Sequence, residues 1–223
     1  MHFVLPFALL SLLIVICTRL ISILPSFSYQ LTRLNKPKAN STKTSAFRKV
    51  RMMALLGSGG HTSEMLRLLG QLDLSNYRLT WVVSEGDKTS LTRARALEKE
   101  KKRDLAPYIV LARARKVGEP LFLSVISALR SFASTTSQLC RVEIPEILLI
   151  NGPGTCVPVA YVLFFLRFVG IGRTRIIYVE SLARVNGLSL SGKLTLPLAD
   201  RFIVQWRPLA EKYHRAEYYG ILV

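Results

Sequence analysis

From Val50 onward the chain alternates short apolar runs with stretches whose apolar residues recur at helical spacing. The apolar runs predict strands at residues 50–56, 79–84, 108–111, 147–150, 176–179 and 202–205. Helices are predicted directly after residue 60 and near 89–102, 121–139 and 157–168. Strands that alternate with helices are typical of a doubly wound, mostly parallel sheet, so we expect a Rossmann-like α/β domain.

A long apolar run precedes this domain. Residues 3–24 contain a single charged side chain, Arg19, near the end of the run. About 20 helical residues span a bilayer, and a terminal arginine can extend its head group to the interface. The pattern predicts one transmembrane helix within an anchor at residues 1–29. The alternative is a cleaved signal peptide, but the N-terminus lacks the Lys or Arg that normally precedes its apolar core.

Residues 30–48 are polar and basic, which predicts a tether rather than a core element. Dense Lys and Arg on one flank of a span mark the cytoplasmic side. We therefore expect a lumenal N-terminus and a cytosolic domain at residues 49–217. On this topology the sequon Asn40-Ser41-Thr42 faces the compartment in which it is not glycosylated.

Composition and net charge indicate which class of partner to expect. The 223 residues suffice for one α/β domain with an anchor, and the formal net charge of +17 favours anionic partners. The sequence has no zinc-finger spacing and no aromatic-basic RNA-binding motif, so an anionic membrane is favoured over nucleic acid. Three scattered cysteines indicate a reducing compartment. The sequence shows no metal-ligand cluster, and no cofactor is expected.

The first predicted strand runs into residues 57–62, Gly-Ser-Gly-Gly-His-Thr, directly before a helical pattern. Glycines let the backbone approach a ligand closely, and the free N–H groups of a helix start face it. This arrangement predicts an anion site. The loop lacks the third glycine of the dinucleotide fingerprint and the lysine of the P-loop, and the near match at 187–193 is followed by Leu194. A tight turn without a ligand is the alternative.

A second glycine loop, residues 151–155 (Asn-Gly-Pro-Gly-Thr), follows the fourth predicted strand. Ligands of parallel sheets bind beyond the carboxyl ends of the strands, so both loops should lie at one edge. Two anion loops suit a diphosphate. Glu85, Asp87 and Glu180 follow strands at the same edge, either as site carboxylates or as helix caps.

Two apolar segments leave alternatives open. The helix near 157–168 is apolar all round but too short for a span, so it is either buried or dips into a membrane. Residues 218–223 end the chain without a polar tail. Free termini usually fray unless they are tied down, so this end packs on its own domain or docks on another protein.

Taken together, these motifs resemble the membrane-anchoring subunits of the two-part UDP-N-acetylglucosamine (UDP-GlcNAc) transferase of asparagine-linked glycosylation. The resemblance covers essentially the whole chain and is specific only as a set. Besides the two glycine loops, it rests on residues 178–185, 188–193, 200–206 and 219–223.

The resemblance implies the N-terminal, acceptor-side half of a split, metal-independent GT-B glycosyltransferase. Such a subunit is expected at the cytosolic face of the endoplasmic reticulum, where it recruits a soluble catalytic subunit that holds most of the UDP-GlcNAc site. The pair would add the second GlcNAc to dolichyl-diphospho-GlcNAc with inversion. In the similar bacterial enzyme of peptidoglycan synthesis, the glycine loops of the membrane half face the lipid diphosphate.

On this interpretation each motif has a role. The candidate diphosphate-binding residues are Gly57, Ser58, Gly59, Gly60, Thr62, Asn151, Gly152, Gly154 and Thr155. His61 is the candidate base, because inversion requires a proton to leave the acceptor hydroxyl and imidazole titrates near neutral pH. A capping or phosphate-binding role for His61 is the alternative. The candidate partner-binding residues are Tyr219, Gly220, Ile221, Leu222 and Val223.

Two other functions are alternatives. A self-sufficient membrane-associated glycosyltransferase would need its own nucleotide-sugar site, and the sequence shows none. A basic nucleic-acid-binding membrane protein would bind RNA or DNA with a strong salt dependence.

Overall fold

A computed structural model describes residues 4–25, 48–114 and 121–223 of the protein. Within these ranges the chain forms a seven-stranded sheet with the order β3-β2-β1-β4-β5-β6-β7, in which every neighbouring pair is parallel. The strands are β1 Val50–Leu56, β2 Tyr77–Ser84, β3 Tyr108–Leu111, β4 Ile147–Ile150, β5 Arg175–Val179, β6 Arg201–Val204 and β7 Ala216–Tyr218. The predicted α/β class with a parallel sheet is confirmed.

The described residues form seven helices, of which those after the first strand pack on the two faces of the sheet. They are α1 Val4–Ile23, α2 Gly60–Gly70, α3 Lys88–Glu100, α4 Leu121–Leu139, α5 Cys156–Phe168, α6 Leu190–Thr195 and α7 Arg207–Lys212, with a 3₁₀ turn at Leu74–Asn76. The predicted tether, apart from Arg48, lies outside the described residues, as does the sequon at Asn40.

Alternate residues of β1 enter different cores. Met53 and Leu55 belong to the core that contains α5, whereas Met52, Ala54 and Leu56 belong to the core that contains α2 and α3. A parallel strand covered on both faces is apolar at every position rather than at alternate ones. This double burial explains why β1 is a continuous apolar run in the sequence.

Two strand boundaries and one edge strand differ from the prediction. β2 begins at Tyr77 rather than at residue 79, and β6 ends at Val204, so Gln205 lies outside it. The unpredicted strand is β7, which includes Tyr218, the residue predicted to begin the tail. An edge strand of three residues needs no apolar run, and here an ion pair between Arg201 and Glu217, 2.5 Å from N to O, joins it to β6.

α1 projects most of its apolar side chains away from the domain, and Phe7, Leu9 and Val15 are among its exposed residues. Its C-terminal end is joined to the domain, where Arg19 Nε donates to the carbonyl of Phe168 at 3.1 Å. Across the described residues, no helix combines the length and the apolarity that a membrane crossing needs.

Candidate functional site

The carboxyl ends of β1 and β4 bring the two glycine loops into contact at one edge of the sheet. The amide Nδ2 of Asn151 donates to the carbonyl of His61 at 2.7 Å. The hydroxyls of Ser84 and Thr155 lie 3.0 Å apart, and this contact joins the end of β2 to the second loop. α2 and α5 therefore begin at adjoining loops, on opposite faces of the sheet, and neither has an acidic residue in its first turn.

The glycines of these loops divide into two kinds. Gly59 and Gly152 have φ of +64° and +84°, where other residues are strained, and a Cβ on Gly57 would lie 2.8 Å from Pro153 Cγ. These three glycines are needed for the fold itself. Around the Cβ positions of Gly60 and Gly154, in contrast, no atom lies within 4 Å. Both are exposed and border open space, which a ligand can occupy.

His61 lies between the two loops. Its ring packs so closely on the second loop that a Cβ on Gly152 would lie 2.9 Å from Cε1. Its Nδ1 is buried without a hydrogen-bond partner and lies 3.7 Å from Glu64 Oε2. The side chain is 34% exposed, so the imidazole can still be reached from the open space.

Thr62 and Ser58 differ in what they offer a ligand. Thr62 is buried, donates to the carbonyl of Gly57 and lies 2.6 Å from the hydroxyl of Ser90. Its hydroxyl is thus engaged in shaping the first loop, whereas Ser58 is exposed. We therefore expect Thr62 to act through the loop geometry.

The three predicted carboxylates have different environments. Asp87 caps α3, since its Oδ1 accepts from the backbone N–H of Ser90 at 3.0 Å. Glu180 is fully buried, and its Oε2 accepts from the backbone N–H of Ser189 at 3.0 Å. Glu85 stays 63% exposed, with Arg130 of α4 at 3.8 Å. The cap interpretation therefore fits Asp87, Glu180 supports the loop after β5 from within, and Glu85 alone of the three is open to a ligand.

Two titratable side chains beneath this edge, those of Cys156 and Tyr178, are buried or nearly so. Burial, with the nearby Glu180 charge as a second cause, raises the pKa of the Cys156 thiol to about 12. Burial likewise raises the pKa of the Tyr178 phenol above its usual value, and that hydroxyl lies 2.9 Å from the hydroxyl of Ser189. Neither group ionises near pH 7, so neither offers a charge to the site.

Glu64 is a site residue that the sequence analysis did not single out. It lies one helical turn after His61 on α2, and its Oε1 accepts from Ser181 Oγ at 2.8 Å and from the Leu182 backbone N–H at 3.1 Å. The spacing of three residues from His61 was the available signal, because such pairs share a helix face.

The C-terminal segment lies against the same edge. The Leu222 N–H donates to Gln205 Oε1 at 3.2 Å, and its carbonyl accepts from Gln71 Nε2 at 3.0 Å. Val223 borders a small crevice together with Glu64 and other residues of that edge. Tyr219 and Ile221, however, are 58% and 57% exposed. The last two residues therefore pack on their own domain. Ile221 is exposed, and the exposed Tyr219 is held by its hydroxyl, which donates to Glu217 Oε2 at 2.6 Å.

In the described part of the chain, no three His, Cys, Asp or Glu side chains gather closely enough to hold a metal ion.

Comparison with known sequences gives one consistent match. A family model described as "Oligosaccharide biosynthesis protein Alg14 like" matches residues 52–222. The UDP-N-acetylglucosamine transferase subunit ALG14 of Debaryomyces hansenii is 50% identical over 213 residues, which are 94% of this chain and 92% of the relative. The subunit of the same name from Mus musculus is 36% identical over 182 residues, 78% of this chain and 83% of the relative.

Solved structures agree at the level of the fold. MurG from Acinetobacter baumannii matches with a TM-score of 0.50 and 17% identity, over 77% of this chain and 45% of that chain. A UDP-GlcNAc 2-epimerase from Neisseria meningitidis matches with a TM-score of 0.51 and 12% identity, over 78% of this chain and 47% of the epimerase. The chain therefore spans about half the length of these structures, and its fold neighbours include GT-B glycosyltransferases.

Proposed function

This chain belongs to the Alg14 family of UDP-GlcNAc transferase subunits and has a glycosyltransferase fold, and from that premise we propose that it supplies the acceptor side of the enzyme. In this proposal the edge with the two glycine loops binds the diphosphate of dolichyl-diphospho-GlcNAc. A soluble catalytic subunit contributes most of the UDP-GlcNAc site, and the pair transfers the second GlcNAc. The family match argues against the nucleic-acid-binding alternative.

One observation carries the proposal: α2 and α5 begin at adjoining loops whose exposed glycines, Gly60 and Gly154, border open space. The first N–H groups of a helix have no partner within the helix, and the helix dipole adds positive potential there. The first turns of both helices lack acidic side chains that would satisfy this potential from within. An external anion with two phosphates can do so from the open side.

The chemistry of transfer assigns a role to His61. In an inverting transfer, the acceptor hydroxyl oxygen bonds to the anomeric carbon while the bond from that carbon to UDP breaks, and UDP leaves with the bonding electrons. The hydroxyl proton must pass to a base at the same time. His61 borders the proposed diphosphate site and is partly exposed, so we propose that its imidazole accepts this proton.

The test is the variant His61→Gln, which keeps a polar side chain of similar reach but removes the base. We expect kcat of the assembled complex to fall by about 10²–10⁴-fold with little change in KM for the acceptor, because general base catalysis contributes about that factor. Steady-state kinetics with a dolichyl-diphospho-GlcNAc analogue measure both constants. A loss confined to KM would show that His61 binds phosphate or caps the helix instead.

We propose further that residues 1–29 anchor the chain in the membrane of the endoplasmic reticulum, in a single pass, with the domain in the cytosol. In support, α1 exposes its apolar side chains outside the domain, and contiguous apolar surface of this kind is costly in water. The basic residues that follow in the sequence favour the cytosolic side.

Sealed microsomes test this orientation. Protease added from outside should digest residues 49–217 of the native protein, and detergent should not be needed for the digestion. Western blotting with an antibody against the C-terminal half measures the loss. A glycan on Asn40 of the native protein would place the tether in the lumen and contradict the proposed topology.

A further inference from the structure

Buried polar atoms without partners gather beside the proposed base. Among the described residues, His61 Nδ1, Glu64 Oε2 and Asn151 Oδ1 are all buried and make no hydrogen bond. Buried polar groups in folded proteins are nearly always paired, and an unpaired one costs free energy. A cluster of this kind at an edge that borders open space points to contacts that form only during function.

Glu64 is held in a fixed orientation. Its Oε1 accepts two hydrogen bonds from the loop after β5, from Ser181 Oγ at 2.8 Å and from the Leu182 N–H at 3.1 Å. With one oxygen fixed on the loop, the other is directed toward α2, and its distance to His61 Nδ1 is 3.7 Å. The carboxylate is 17% exposed, so its charge is little screened by water.

The imidazole is also restricted, because it lies so close to the second loop that a Cβ on Gly152 would be 2.9 Å from Cε1. A distance of 3.7 Å is slightly too long for a hydrogen bond. Contacts of a catalytic base are often long in the free protein and shorten when substrate binds.

We infer that Glu64 is the positioning residue of His61, an inference that rests on the proposed role of His61 as base. Oε2 accepts a hydrogen bond from Nδ1–H and thereby fixes the tautomer in which Nε2 carries no proton. Nε2 then takes the proton of the acceptor hydroxyl while the new glycosidic bond forms and UDP departs. The imidazolium that results is stabilised by the Glu64 carboxylate.

The variant Glu64→Gln separates this role from a purely structural one. Its amide oxygen can still accept from Ser181 and Leu182, but the amide N–H₂ that would face His61 donates rather than accepts. We expect kcat to fall about tenfold to a hundredfold, part of the 10²–10⁴-fold that a general base supplies, with KM unchanged. Glu100→Gln, which removes an exposed carboxylate at the end of α3, is the matched control and should behave as wild type.

Non-additivity is the decisive measurement. In the background of His61→Gln, the further change Glu64→Gln should cost no additional activity, since a positioning residue has nothing left to position. A structural role instead predicts that the two losses multiply, which would overturn the inference. Nitrogen NMR of histidine-labelled complex gives a second readout: the Nδ1–H tautomer of His61 in wild type should shift toward Nε2–H in Glu64→Gln.

Two outcomes distinguish this inference from the proposed function. If His61→Gln keeps its kcat, the proposed base is wrong. If His61→Gln loses kcat but the tautomer of His61 is unchanged in Glu64→Gln, only the role of Glu64 is wrong. Should Glu64→Gln fail to fold, Ser181→Ala removes one of the two hydrogen bonds that hold Oε1 while it keeps the carboxylate. A loss of kcat in that variant that persists undiminished without His61 would contradict the inference.

Discussion

Gly60→Val is expected to abolish sugar transfer while the protein stays folded and in the membrane. In the free protein a Cβ at Gly60 meets no atom within 4 Å, so the valine side chain has room. The proposed diphosphate must occupy this same open space to reach the first N–H groups of α2. A hydrogen bond to a charged group contributes about 1.5–3 kcal/mol, so the loss of two lowers kcat/KM by about 10²–10⁴-fold. Kinetics of the reconstituted complex measure this change.

Two other glycines serve as references for this experiment. Gly70→Ala lies at the far end of the same helix, where a Cβ makes an ordinary contact of 3.9 Å with Leu97, and should leave turnover unchanged. Gly152→Ala places a side chain at φ +84° and 2.9 Å from the His61 ring, and should lower stability as well as activity. Normal turnover in Gly60→Val would mean that the first loop is only a turn.

The central strands could be predicted because burial on both faces leaves a continuous apolar run, as in β1. β7 could not, because Ala216–Tyr218 is short and is held at the edge by its neighbour. The Arg201–Glu217 ion pair that joins β7 to β6 depends on a strand register that the sequence does not show. The local pattern of apolar residues therefore predicts a strand only where that strand itself buries apolar surface.

The candidate site likewise has features that the sequence predicts and features that it does not. The meeting of the glycine loops follows from a general rule for parallel sheets. The different environments of Glu85 and Glu180 do not follow from that rule, because both residues directly follow strands in the sequence. Only the fold buries Glu180. Glu64 is similar: its spacing from His61 is visible, but the partner that fixes its carboxylate, Ser181, is 117 residues away.

Deletion of Ile221, Leu222 and Val223 is expected to release the catalytic subunit and thereby eliminate activity, although the truncated chain should remain in the membrane. The proposal that this tail docks the partner is supported by the exposed apolar side chain of Ile221. Co-purification of the tagged chain with its partner from detergent-solubilised membranes measures retention. Wild-type retention by the truncated chain would show that the docking surface lies elsewhere.

The deletion also removes contacts within the domain, because Leu222 bonds to Gln205 and Gln71. Ile221→Asp avoids this problem, since residue Ile221 is 57% exposed and the backbone bonds of Leu222 are kept. If Ile221 is a central docking contact, its loss costs about 2 kcal/mol or more, which is about a thirtyfold weaker partner complex with an unchanged melting temperature. Leu105→Asp, at a side chain 70% exposed before β3, is the matched control and should bind the partner as wild type does. A lower melting temperature in Ile221→Asp with normal partner binding would instead assign the whole tail to its own domain.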